Sequence, residues 1–330
     1  MLNNLQLLRA FAAINVVLFH IIGTSILYQQ EVNWLKPLQG WGISGVDLFF
    51  VISGFVMVYT QFERPKSPVQ FLRSRFYRIL PLYWVLTLLI ASSLWLMPSV
   101  FRAMQIDLEW FLSSLFLTSQ AMGYAEPMLY VGWTLELEML FYGVFALALF
   151  ARNLYVSVAL VSLVLGALAW SLHLPMMLEF ILGMLAGVIY RHIRLGVEAS
   201  WWLAFLALVA LLLSIGMDGE SQRFVLWGIP SFLLVMAVLY LPQNKNPIGL
   251  YLGAASYSIY LVQVFSIPLF YKLSSTYLAF IQPDLLAVGC LLFTLAMASL
   301  LYQFVEQPLA RQLRSIQVGA NSHKRELYTR

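Results

Sequence analysis

Apolar residues gather in ten long blocks along the chain, at 5–28, 43–62, 79–97, 131–150, 154–172, 175–190, 201–216, 224–241, 251–271 and 284–305. Each is close to the roughly 20 residues that a helix needs to cross bilayer hydrocarbon. Helix and loop formers alternate on cue. The gaps hold Lys36-Pro37, Arg64-Pro65-Lys66-Ser67-Pro68, Asp218-Gly219-Glu220 and Pro242-Gln243-Asn244-Lys245, combinations that end helices and favour turns. The pattern predicts an all-α, polytopic membrane protein with about ten transmembrane helices. One gap is long, 98–130, and its stretch 108–118 reads as an amphipathic helix able to lie flat at the membrane interface. No internal repeat and no separate soluble domain is visible. The membrane domain is expected to cover 1–315, followed by a polar, flexible cytoplasmic tail over 316–330.

Composition sharpens this picture. Of 330 residues, 61% are apolar and 10% charged, with a mean hydropathy of +0.81. A soluble domain carries about 45–50% apolar and about 25% charged residues. A soluble enzyme, a disordered chain and a nucleic-acid-binding domain are therefore excluded. The net charge of +4 matters less than where the charges fall. With the N-terminus and the even-numbered loops inside, 14 of the 19 Lys and Arg residues become cytoplasmic. Only Lys36, Arg102, Arg223 and Lys272 fall outside, and Arg9 lies within the first span. Basic residues concentrate on the cytoplasmic side of membrane proteins, so both termini are expected there. The N-terminus has no basic n-region or small-residue cleavage site, so the first block should stay as a span. The single cysteine, Cys290, lies in an apolar block and reads as a buried small residue. No Cys/His spacing suits zinc, and no metal or prosthetic group is expected.

Ionisable side chains in a span cost about 2.5–3.5 kcal/mol each on insertion scales. Arg9, His20, Asp47, Glu136, Glu138 and Glu179 all fall in the predicted spans. Counting at 1.5 Å per residue puts His20 about 12 Å and Glu138 about 10 Å from the outer face. Asp47 and Glu179 sit about one turn inside their outer ends. One imidazole and several carboxylates thus share the outer half of the bilayer, as a reaction centre would require. Glu136 and Glu138 are about 200° apart on a helix, so at most one faces a common cavity. Arg9 and His20, eleven residues apart, share one face about 16 Å apart in depth. Blander readings coexist: Arg9 snorkelling to headgroups, His20 as a packing residue, Arg73, Arg75 and Arg78 as a topology anchor.

The order of motifs carries a resemblance. Leu8-Arg9-Ala10 leads to His20 and then to Gly45-Val46-Asp47-Leu48-Phe49-Phe50-Val51-Ile52-Ser53-Gly54-Phe55. Arg78-Ile79-Leu80-Pro81-Leu82-Tyr83-Trp84 and Trp133-Thr134-Leu135-Glu136-Leu137-Glu138 follow, the latter with Phe141-Tyr142. Glu179-Phe180 with Gly183-Met184, Ser256-Tyr257-Ser258-Ile259-Tyr260-Leu261 and Glu306-Gln307-Pro308-Leu309 complete the series. Over about residues 1–315 this resembles the acyltransferase type 3 family of bacterial membrane acyltransferases, in particular the short exopolysaccharide O-acetyltransferases. The resemblance implies ten helices and acyl transfer from a cytoplasmic donor, usually acetyl-CoA, to a glycan hydroxyl. The acceptor would be a polysaccharide or a lipid-linked oligosaccharide. Arg9 and His20 match the family's functional pair, and the inner-loop basic residues its donor contacts. Two positions depart from the pattern: Ser74 interrupts the family's Arg-x-x-x-Arg arrangement, and Gln263 stands where many relatives carry His.

A neutral imidazole suits removal of a proton from a sugar hydroxyl. The expectation is therefore that His20 acts as general base or as a covalent acyl relay, oriented by Glu138 or Asp47. Arg9, Arg73, Arg75 and Arg78 would hold the acyl-CoA, whose phosphates suit guanidinium forks. The alternative is a proton-coupled secondary transporter that uses the same His and carboxylates as a relay. A scaffold subunit is a third class. Membrane lipids are expected neighbours, a nucleic-acid partner is not, and homo-oligomerisation is left open.

Overall fold

The computed structural model describes residues 2–96, 107–217, 219 and 222–313. The tail 316–330, Arg102, Asp218 and Glu220 lie outside the described residues. Among the described residues the chain is helical throughout, without a strand. In order, the helices are α1 (Asn3–Leu27), α2 (Ser44–Glu63), α3 (Pro68–Leu96), the short α4 (Leu108–Leu115), α5 (Trp133–Ala148) and α6 (Leu154–Ser171). Then come α7 (Met177–His192), α8 (Val197–Leu213), α9 (Ile229–Tyr240), α10 (Pro247–Ala254), α11 (Ser256–Tyr277) and α12 (Pro283–Leu301). Two π turns, Phe224–Gly228 and Tyr302–Glu306, lead into α9 and follow α12.

A helix coincides with each of the ten apolar blocks, but the lengths are unequal. Six helices are long and apolar enough to cross a membrane, and a seventh if α10 and α11, bent by 68° at Ala255, form one broken span. The 16 residues of α7 extend about 24 Å, short of the ~30 Å hydrocarbon thickness. The block 108–118 forms only eight residues of helix, started by the Asp107 side chain, which accepts from the Glu109 N–H at 3.2 Å. Asp107 also accepts from the Tyr124 hydroxyl at 2.5 Å, which holds its carboxyl low and pushes the phenol up to about 12.

Helices in lipid gain little from hydrophobic burial against one another and rely on close packing, for which small residues are suited. Among the described residues α2 and α7 make the most extensive helix–helix contact. A Cβ on Gly54 would strike the Phe180 carbonyl oxygen, and one on Gly183 the Val51 carbonyl oxygen. Gly187 brings α7 equally close to Val58, and Gly45 sets α2 against the backbone of α1 at Ala12. α1 in turn packs on α2, α10, α11 and α12, so the helix bearing Arg9 and His20 is held from several sides. Phe50, Phe141 and Phe180 stack at 4.5 Å centroid separations where α2, α5 and α7 meet. Cys290 is buried in the α1–α11–α12 core.

Gly54→Ala and Gly183→Ala should each destabilise the protein by about 1–3 kcal/mol, since backbone rather than a movable side chain blocks the added methyl. Gly166→Ala, with open space around it in α6, should be neutral or stabilising by up to about 1 kcal/mol. Thermal denaturation of the three purified variants in detergent checks the contrast.

Candidate active site

A basic vestibule of about 710 Å³ opens where the first turns of α3 meet the starts of α1 and α11 and the segment after α12. Arg9, Lys66, Arg75, Arg78 and Arg311 line it, against the single carboxylate of Glu306. Helix geometry divides the basic residues expected to hold a donor. Arg75 and Arg78 face the vestibule, whereas Arg73, about 140° around α3 from Arg78, lies flat on Tyr77 and donates to its hydroxyl at 3.2 Å. Arg73 is thus placed apart from the other three. Arg75 is buried, with its guanidinium over the Phe71 and Tyr142 rings at 5.5 and 5.8 Å and its Nε unpartnered. The π turn Tyr302–Glu306 presents Glu306 to the vestibule, where it accepts from the Ser258 hydroxyl at 2.5 Å. Such turns expose groups that a regular helix would direct elsewhere.

Arg9, Arg78 and Tyr257 also line an inner cavity of about 100 Å³, so these side chains stand between the two spaces. Glu138 lies at its polar wall, accepting from Ser53 at 2.7 Å and from Tyr142 at 2.5 Å. Ser256, the first residue of α11 after the bend, borders the same cavity with an unpartnered hydroxyl. On the side away from the vestibule the cavity ends at Thr134 and Tyr260. Their hydroxyls lie 2.7 Å from each other and 3.2 and 2.8 Å from the Val131 carbonyl, so two protons are shared among three contacts.

His20 is not among the residues that line this cavity. Its ring contacts are Phe19 and Tyr130, at 5.0 and 5.2 Å between centroids, both edge-on. The expected orienting bond from Glu138 or Asp47 is not formed. Glu138 is spent on Ser53 and Tyr142, and Asp47, fully buried, receives a two-pronged contact from Arg223 at 2.7 and 3.0 Å. Glu179, also fully buried, completes that second cluster beside Asp47 and against Gly228 of the π turn at the start of α9. Arg223 had read as a residue of an outer loop. Instead it turns inward, because an ionised Asp47 in an apolar bundle needs a counter-charge. The two neighbouring carboxylates at Glu136 and Glu138 diverge as their spacing requires. Glu136 stays out of the cavity and accepts from the Ser119 and Gln120 N–H groups at 2.8 and 3.0 Å, anchoring the loop before α5. Gln263 donates to the Tyr260 carbonyl at 2.9 Å and leaves its own oxygen unpartnered.

Ser53, Tyr142, Tyr257 and Glu306 all stand in the motif series, where none of them was given a role. Tyr142 carried a further signal, lying one helical turn after Glu138. Lys66 and Arg311 carried none beyond their charge.

A family model described as an acyltransferase domain matches residues 2–303. The chain belongs to the acyltransferase type 3 family. Among its relatives, the exopolysaccharide production protein ExoZ of Rhizobium meliloti is 34% identical over 299 residues, covering 84% of this chain and 93% of ExoZ. The O-acetyltransferase OatA of Staphylococcus aureus is 25% identical over 364 residues, covering 92% of this chain and 56% of OatA. No solved structure matches the chain. Family membership and several long apolar helices identify this acyltransferase as a multi-pass membrane protein.

Breaking a buried ion pair from one side costs about 3–5 kcal/mol, whereas replacing both partners by apolar groups costs far less. Arg223→Met should therefore destabilise this acyltransferase strongly, and Asp47→Leu combined with Arg223→Met should recover at least half of the loss. Denaturation midpoints of the single and double variants in detergent measure the coupling.

Proposed function

We propose that this acyltransferase moves an acetyl or other small acyl group from cytoplasmic acyl-CoA to a hydroxyl of an exported or cell-surface glycan. The observation that carries the reading is the basic vestibule, which shares Arg9 and Arg78 with an inner cavity lined by Thr134, four residues from the Tyr130 that packs on His20. Guanidinium groups suit the CoA phosphates, and Arg75, Arg78 and Lys66 are placed to take them. The pantetheine arm would enter between Arg9 and Arg78, with its amides near Glu138, Ser53 and Ser256. Relatives named for exopolysaccharide production and O-acetyl transfer support a polysaccharide or lipid-linked oligosaccharide acceptor.

In this reading His20 takes the proton of the acceptor hydroxyl as its oxygen attacks the thioester carbon. The carbon–sulfur bond then breaks, and the proton passes from the imidazolium to the departing CoA thiolate. No carboxylate partners His20 here. Its ring is held instead by Phe19 and Tyr130, and the imidazole orients by packing. An acyl-His20 relay is the covalent variant of the same chemistry. The protein is taken to sit in a bacterial inner membrane with ten crossings and both termini cytoplasmic, which puts the vestibule in reach of cytosolic acyl-CoA. α7, α8 and the π turn with α9 are then short crossings met by local thinning of the bilayer. Asp47 serves the frame through Arg223, and Arg73 anchors α3 at the headgroups.

Purified protein given radiolabelled acetyl-CoA and deacetylated exopolysaccharide should label the glycan. His20→Ala should lower that rate by about 10²–10⁴-fold while insertion and folding persist. Arg78→Ala should raise the KM for acetyl-CoA about tenfold or more, as expected for loss of a charge-assisted contact. Proton-dependent solute uptake without any glycan labelling would favour the transporter reading instead.

A further inference from the structure

About sixteen residues along α3 from Arg78, or about 24 Å, a second open space of about 480 Å³ lies between the far end of α3, α4, the loop before α5, and α11. That volume is in the range of small-ligand sites. Its polar and aromatic lining is concentrated in Trp110, Tyr124, Glu126 and Tyr130. Two of these side chains have hydrogen-bonding capacity to spare. The Glu126 carboxylate is exposed and makes no hydrogen bond or ion pair with the described residues, nor does the Tyr130 hydroxyl. The loop is nonetheless held, because Trp110 Nε1 donates to the Glu126 carbonyl at 2.8 Å and Trp110 lies against Tyr124 at 6.4 Å. Desolvation on its cleft side raises the Glu126 carboxyl above its ordinary range.

The far wall of this cleft is the near wall of the chemistry. Tyr130 lines the cleft and its ring meets His20, while Val131 and Thr134, one and four residues on, close the inner cavity with Tyr260. A molecule in the cleft is separated from the donor cavity only by this short segment.

The geometry points to the cleft as the acceptor subsite: a pyranose ring of the glycan stacks on Trp110, hydroxyls bond to Glu126 and Tyr130, and the reacting hydroxyl is delivered to His20. Sugars present apolar C–H faces that suit aromatic rings and hydroxyl edges that suit a carboxylate. Among the described residues Glu126 is the one charged side chain that lines the cleft, which favours a neutral, hydroxyl-rich ligand over an anion. This assignment rests on the glycan acyltransferase reading above. It adds a residue, Glu126, that binds acceptor and not donor.

The test uses oligosaccharide fragments of chemically deacetylated Rhizobium meliloti exopolysaccharide as acceptor, with the full-length protein in detergent. Glu126→Gln should raise the KM for the fragments about tenfold, and Trp110→Leu should do the same. In both, the KM for acetyl-CoA should stay within twofold of wild type. Trp110→Phe, which keeps the ring and loses the Nε1 bond, should stay within about threefold on the acceptor, separating stacking from loop support. Acceptor KM values unchanged in Glu126→Gln and Trp110→Leu, or acetyl-CoA KM values that rise in parallel, would overturn the assignment. Saturation-transfer NMR of the same fragments separates the two readings. Fragments that bind wild type and not Glu126→Gln, with no acyl transfer, would keep the glycan site and remove the acyltransfer reading. Fragments that do not bind wild type would remove the site.

Discussion

A charged side chain inside an apolar bundle must find an opposite charge or a full set of hydrogen bonds. Much of this molecule's internal order follows from that demand. Asp47 is answered by Arg223, reached across 176 residues of chain. Glu138 is answered by two hydroxyls, one from α2 and one from its own next turn. Glu306 is answered by Ser258 and faces the basic vestibule. Each answer ties helices distant in sequence, so the polar contacts also specify which helices neighbour one another. Isolated apolar helices in lipid would have little reason to choose.

Glycine supplies the second constraint. Where α2 meets α7 the backbones approach so closely that no side chain fits between them at Gly54 and Gly183. That crossing sits beside the Asp47 cluster and under the aromatic stack of Phe50, Phe141 and Phe180. It thereby fixes the α2 face that carries Ser53 to Glu138. The two π turns act locally in the same sense. One brings Gly228 and Arg223 up to Glu179 and Asp47, and the other aims Glu306 at the vestibule.

The consequence is a molecule with two spaces and a thin partition. The basic space and the inner cavity share Arg9 and Arg78 in their walls, and the cleft at the other end touches His20 through Tyr130. The partition consists of one short segment, Tyr130 to Thr134, pinned by a single tyrosine hydroxyl from α11. α1 serves both spaces, with Arg9 at one and His20 near the other.

The sequence by itself determined that the chain is helical, apolar and multi-pass, and that it belongs with acyltransferases. Those properties are local or ordered along the chain: block length, charge placement and a motif series survive without knowledge of contacts. It also determined that Glu136 and Glu138 part company, because two residues on a helix always do. The partners of the buried charges were beyond it. Nothing in the spacing of Asp47 and Arg223, or of Ser258 and Glu306, says that they meet, since each contact depends on helix packing distant in sequence. The same holds for His20. Shared depth with Glu138 suggested a hydrogen-bonded pair, but depth is one coordinate, and the lateral arrangement of α1, α5 and α11 put a wall between them. The tertiary structure alone decided that Glu138 belongs with the arginines and His20 with Tyr130.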